Sequence, residues 1–89
     1  MTWRIEFRKE AEKEIDSLDP QITKRILNFI STRLQTADNP RTLGKPLSGL
    51  RLGAYWRYRV GDYRLICAIH DDIVTIVVVE IGNRREVYR

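Results

Sequence analysis

One cysteine and one histidine are too few to build a zinc site, and a single cysteine excludes an internal disulfide in these 89 residues. Cys67 stands among Leu65, Ile66, Ala68 and Ile69 and reads as a small buried hydrophobe in a reducing compartment. His70 sits at a strand end beside a turn. It reads as a structural or solvated side chain rather than the base of a Ser-His-Asp triad. The sequence has no glycine-rich loop opening a helix and no calcium-loop pattern, and Asp71-Asp72 reads as a turn former rather than a catalytic dyad. No metal or other cofactor is expected. Long apolar runs are missing too: Ile73 to Val79 is far too short to span a bilayer, and the opening Met1-Thr2-Trp3-Arg4-Ile5-Glu6 lacks the apolar stretch of a signal peptide. The expected location is the cytoplasm, with no membrane partner.

Lysine is scarce where charge is concentrated. Residues 1–40 hold seven basic and seven acidic side chains, whereas residues 41–89 hold nine basic and five acidic, so the whole net charge of +4 lies in the second part. Eight of those nine basic residues are arginine. Arginine offers planar, bidentate contacts to phosphate, so a nucleic acid outranks a membrane as the acidic partner. No C-terminal helix is both basic and strongly amphipathic, which points the same way.

A chain of this length forms one domain, residues 1–89, with room for one core and with its function on the surface. Thr2 to Phe7 alternates, placing Trp3, Ile5 and Phe7 on one face of a strand. From Lys9 to Leu18 the period becomes helical, with Ala11, Ile15 and Leu18 apolar. Asp19-Pro20 supplies an N-cap and a first-turn proline for a second helix running to about Thr36, whose stripe is Ile22, Ile26, Phe29, Ile30 and Leu34. Arg41 to Gly53 reads as a long connecting loop. Strands follow at Tyr55–Val60, Tyr63–His70 and Ile73–Ile81, the last read as a central strand covered on both faces, with Gly82-Asn83 breaking it. The expected architecture is α+β: an N-terminal strand, an antiparallel helix hairpin packed on one side of the sheet, then a three-stranded antiparallel sheet, about four strands in all.

The densest chemistry lies in Tyr55-Trp56-Arg57-Tyr58-Arg59-Val60-Gly61-Asp62-Tyr63-Arg64. Alternation puts Trp56, Tyr58 and Val60 on one face and Tyr55, Arg57 and Arg59 on the other, and Gly61-Asp62 fits a two-residue type II′ turn. That turn pairs Val60 with Tyr63, Arg59 with Arg64 and Arg57 with Ile66. Two arginines then face each other directly, an arrangement that repels unless water or a polyanion takes up the charge. Arginines, tyrosines and a lysine can cleave RNA without a metal. The 2′-hydroxyl is an internal nucleophile, and the protein need only orient it, stabilise the pentavalent phosphate and manage two protons. Residue chemistry permits this mechanism without indicating it.

The chain resembles the RelE/ParE superfamily of bacterial and archaeal toxin-antitoxin toxins, and within it the RelE-like branch, over nearly its whole length. The most specific parts are Tyr58-Arg59-Val60-Gly61-Asp62-Tyr63-Arg64, similar to the family's basic strand and Tyr-Arg turn, and Gly82-Asn83-Arg84-Arg85-Glu86-Val87-Tyr88, similar to its C-terminal Gly-His-Arg-x-x-Val-Tyr ending. The resemblance implies a ribosome-dependent mRNA endonuclease that cuts in the A site and so stops translation, held in check by a RelB-like antitoxin in a hetero-oligomer. By resemblance, Arg57 occupies a catalytic lysine position, Arg64 the phosphate-stabilising arginine, Arg84 an arginine linked to leaving-group protonation, and Tyr88 the tyrosine that orients the nucleotide. Lys45, Tyr55, Arg59 and Arg85 are the further RNA-binding residues. The best-known relative has a second lysine where Tyr55 falls, and many relatives have histidine where this chain has Asn83, so the general base stays open between Tyr55 and Lys45. Two alternatives remain, a ParE-like inhibitor of DNA gyrase with no nuclease chemistry and a non-catalytic RNA-binding module.

Overall fold

A computed structural model describes residues 2–47 and 55–83 of the chain. Strand β1 (Arg4–Phe7) leads into helix α1 (Lys9–Ser17) and helix α2 (Pro20–Phe29). The side chain of Asp19 caps α2, its Oδ1 accepting the Gln21 amide at 2.9 Å, with Pro20 in the first turn as the sequence predicts. The α-helix stops at Phe29, seven residues short of the expected Thr36. It continues as a π-helical turn over Ile30–Leu34, where the Gln35 amide donates to the Ile30 carbonyl at 2.8 Å. The wider turn brings Leu34 above Ile26 and Ile30, so all three are buried in the core.

Two departures follow from the sequence that comes next. The expected loop holds a 3-10 turn (Pro40–Leu43) and a two-residue strand, β2 (Lys45–Pro46), which raises the strand count to five. After β3 (Tyr55–Val60) and β4 (Tyr63–His70), Asp71–Ile73 forms another 3-10 turn and Val74 takes a left-handed conformation at φ 47°. Strand β5 (Thr75–Asn83) thus starts later than expected and runs through Gly82-Asn83 instead of breaking there.

The sheet is mixed, in the order β1-β5-β4-β3-β2, with β1 parallel to β5 and the other pairs antiparallel. Strand β5 is interior, as its Ile and Val content suggested, but Glu80 is exposed, so its outer face is only partly covered. On the other face Trp3, Ile26, Ile30, Leu34, Tyr58, Leu65, Cys67, Ile76, Val78 and Ile81 form the core beneath α1 and α2. Burial pushes the Cys67 thiol up to about 12. Native protein should therefore resist alkylation at neutral pH and react only on unfolding, which a thiol-labelling time course with and without denaturant would check.

Tyr58 joins the core to the strap that precedes β2. Its ring is buried and its hydroxyl donates to the Pro40 carbonyl at 2.8 Å. Replacing Tyr58 with phenylalanine leaves that carbonyl without its donor, an expected cost of about 1–3 kcal/mol in urea unfolding. Beside it, Gly44 is a packing requirement: a Cβ there would overlap the Arg57 carbonyl oxygen and stand 2.7 Å from Tyr58 Cε1.

Candidate nucleic-acid interface

The β3–β4 hairpin has the predicted register: Val60 opposes Tyr63, Arg59 opposes Arg64 and Arg57 opposes Ile66. Gly61 adopts φ 59°, the conformation that a type II′ turn asks of its first central residue. On the sheet face away from the helices, Tyr55, Arg57 and Arg59 project from β3 and Arg64 from β4. Strand β2 then adds Lys45 directly opposite Arg57. Directly opposed side chains start from Cβ atoms about 5 Å apart. The register therefore makes two cationic pairs, Lys45 with Arg57 and Arg59 with Arg64, on neighbouring rows about 7 Å apart along β3.

These four cations line one cavity of about 320 Å³, whose opposite wall is Thr42, Leu43 and Gly44 with the edge of Tyr58. Four cations gathered in one cavity favour an anionic occupant. Tyr55 is half-buried, two residues from Arg57 on the same face and opposite Ala68, outside the cavity lining. Arg84, Arg85 and Tyr88 lie outside the described residues. The structure thus brings together Lys45, Arg57, Arg59 and Arg64 of the residues singled out from sequence.

Sequence reasoning missed the wall and its anchor. Pro40–Leu43 is held from the helix side by Tyr58, and by Arg41, whose guanidinium makes two hydrogen bonds to the Asp71 carboxylate and lies 6.0 Å from the centre of the Trp56 ring. Arg41 holds the Asp71 carboxyl below its ordinary value of 3.8. With the folded value depressed, this pairing contributes fully above about pH 3.8 and fades as pH falls below it. The anchor matters because β2 is only two residues long, one of them a proline that cannot donate. Removing it with Arg41→Ala should speed hydrogen exchange at the Leu47 amide, which donates to the Tyr55 carbonyl at 3.0 Å, while the thermal midpoint barely moves. No signal in the sequence joins residues 41 and 71. Glu80 was also overlooked; pairing with Ile66 puts it on the basic face.

The family model of the ParE toxin of type II toxin-antitoxin systems, parDE, matches residues 5–88. The chain belongs to that family. Its relatives include Toxin RelG of Mycobacterium tuberculosis, 29% identical over 89 residues, which span 100% of this chain and 99% of that toxin. Among solved structures, the toxin-antitoxin complex RelBE2 from Mycobacterium tuberculosis contains a chain that aligns with a TM-score of 0.84 and 27% identity, covering 94% of this chain and 100% of its own. The archaeal RelE-RelB complex of Pyrococcus horikoshii OT3 aligns at 0.76 with 28% identity, covering 97% and 99%. The protein is a RelE/ParE-superfamily toxin of a type II toxin-antitoxin system with the α+β RelE-like fold. Among the toxin's described residues, no helix is long and apolar enough to cross a membrane.

Proposed function

We propose that the toxin is a metal-independent, ribosome-dependent endoribonuclease that cuts mRNA in the A site and so inhibits translation in the cytoplasm. The observation that carries this reading is the cavity of about 320 Å³ that Lys45, Arg57, Arg59 and Arg64 line together. A scissile phosphate seated there has Arg64 and Arg57 beside its developing negative charge, while Arg59 and Lys45 hold the flanking backbone. The 2′-hydroxyl attacks, so the product carries a 2′,3′-cyclic phosphate and its partner a 5′-hydroxyl. Tyr55 flanks the cavity as a stacking surface, Arg85 adds a phosphate contact, Arg84 serves the leaving group and Tyr88 stacks on the nucleotide.

A RelB-like antitoxin is the proposed partner in the resting state. Several structural neighbours are solved as toxin-antitoxin complexes, and among the described residues β1 is an edge strand beside an apolar recess of Ile5, Phe7, Ile15, Leu18 and Leu27. The match to the ParE toxin model favours one second reading, binding and inhibition of DNA gyrase through the same arginines. Purified toxin added to pre-formed ribosome–mRNA complexes with an open A site separates the two. Cleavage there but not of naked mRNA, persisting through brief excess EDTA, is expected. Intact mRNA together with blocked gyrase supercoiling would favour the second reading.

A further inference from the structure

We infer that the Glu80 carboxylate is the general base of this site, an inference that rests on the nuclease reading. Following the register across the sheet, Lys45 of β2, Arg57 of β3, Ile66 of β4 and Glu80 of β5 form one row on the basic face. Arg59, Arg64 and Gly82 form the next. Glu80 is therefore two strand spacings, about 10 Å, from Arg57 between backbones. It is diagonal to Arg64 at about 7–8 Å. Arg57, Arg64 and Glu80 project from the same face, so a phosphate that the two arginines hold on the β4–β5 side of β3 comes within reach of the Glu80 side chain. Ile66, between Arg57 and Glu80 in the first row, is buried and offers no competing polar group. Gly82, opposite Arg64 and two residues beyond Glu80, adds no side chain to fill the space above β5.

A β-bulge delivers this carboxylate. Ile66 pairs with Glu80 but the next residue, Cys67, pairs with Val78, so Val79 is the extra residue. Without that insertion Ile81 and Val78 could not both point into the core, where both are buried. With it, Glu80 is exposed on the outer face and is the sole acidic side chain there on β3, β4 and β5 among the described residues. Among the described residues, the charged side chains nearest it in the sheet are Arg64 and Arg57 across the sheet, Lys45 beyond them, and Glu6 and Arg8 on the β1 side, where the Arg8 amide donates to Val78. A carboxylate offers two acceptor oxygens, which suits Glu80 to receive the 2′-hydroxyl proton.

In the reaction, the 2′-O–H bond breaks and its proton passes to the Glu80 carboxylate as the 2′-oxygen bonds to phosphorus. The bond from phosphorus to the 5′-oxygen then breaks, that oxygen takes a proton from water, and Glu80 returns its proton to solvent. The test is single-turnover cleavage on ribosome–mRNA complexes by wild type, Glu80→Gln, Glu80→Asp and Glu80→Ala. Binding is measured separately on mRNA bearing a 2′-O-methyl group at the cut site. Glu80→Gln should lose about 10²- to 10⁴-fold in rate with unchanged binding. Glu80→Asp should retain part of the activity, and formate should restore part of the Glu80→Ala rate in a saturable way. A Glu80→Gln rate equal to wild type, or a loss matched by weaker binding, would overturn the role of Glu80 while leaving the nuclease reading in place. No cleavage by wild type would overturn both.

Discussion

Replacing Arg64 with alanine should abolish growth arrest and lower single-turnover cleavage roughly 10²- to 10³-fold, the range seen when one charge-directed donor is removed from a catalytic site. The size follows from its position. Arg64 lines the cationic cavity directly opposite Arg59 and lies diagonal to the exposed Glu80 across β4 and β5. Removing it withdraws a bidentate donor that no neighbour on β4 can replace, since Leu65 faces the core and Ile66 is apolar. The fold should persist, because Leu65 and Cys67, not Arg64, are the β4 side chains that fill the core. Growth on induction at matched expression, paired with thermal unfolding of the purified variant, checks both halves. Undiminished arrest, or arrest lost only through unfolding, would refute the assignment.

The larger expected effect lies on the substrate. Methylating the 2′-oxygen of the nucleotide at the cut site should stop cleavage altogether, because the nucleophile then has no proton to give up and its oxygen is blocked, while binding through Lys45, Arg57 and Arg59 persists. A 2′-deoxy nucleotide should act in the same way. Binding should weaken steeply with salt for modified and natural mRNA alike, since phosphate contacts are common to both. Efficient cutting of the methylated substrate, or products bearing a 5′-phosphate, would mean that water is the nucleophile and that the cavity serves another chemistry.

Local patterns made much of this molecule legible. Period-two alternation and a Gly-Asp turn were enough to set the register of Arg57, Arg59 and Arg64, because a glycine with positive φ leaves a hairpin few alternatives. Asp19-Pro20 announced α2, and Ile26, Ile30 and Leu34 are core as the stripe required. What escaped depended on long-range packing. Lys45–Pro46 has no strand signature, since proline lacks a donor, and becomes β2 only because Tyr58 and Arg41 pin the preceding turn to the sheet. The π-helical turn is invisible because its residues are ordinary helix formers; Asn28, whose carbonyl accepts the hydroxyls of Ser31 and Thr32 just before it, is equally ordinary. Glu80 escaped because uninterrupted alternation gives the wrong face for half of β5, and only the pairing with β4 reveals the extra residue at Val79. The expected roles of Arg84, Arg85 and Tyr88 fall outside the described residues.

The most direct test of the central claim is made in cells expressing the chain without an antitoxin. Newly formed mRNA 5′ ends on stalled ribosomes are mapped and compared with gyrase-linked DNA breaks in the same culture. The expected result is 5′-hydroxyl ends clustered within A-site codons, absent in the Arg64→Ala strain, with no excess of DNA breaks. Gyrase-linked breaks with intact ribosome-bound mRNA would contradict it.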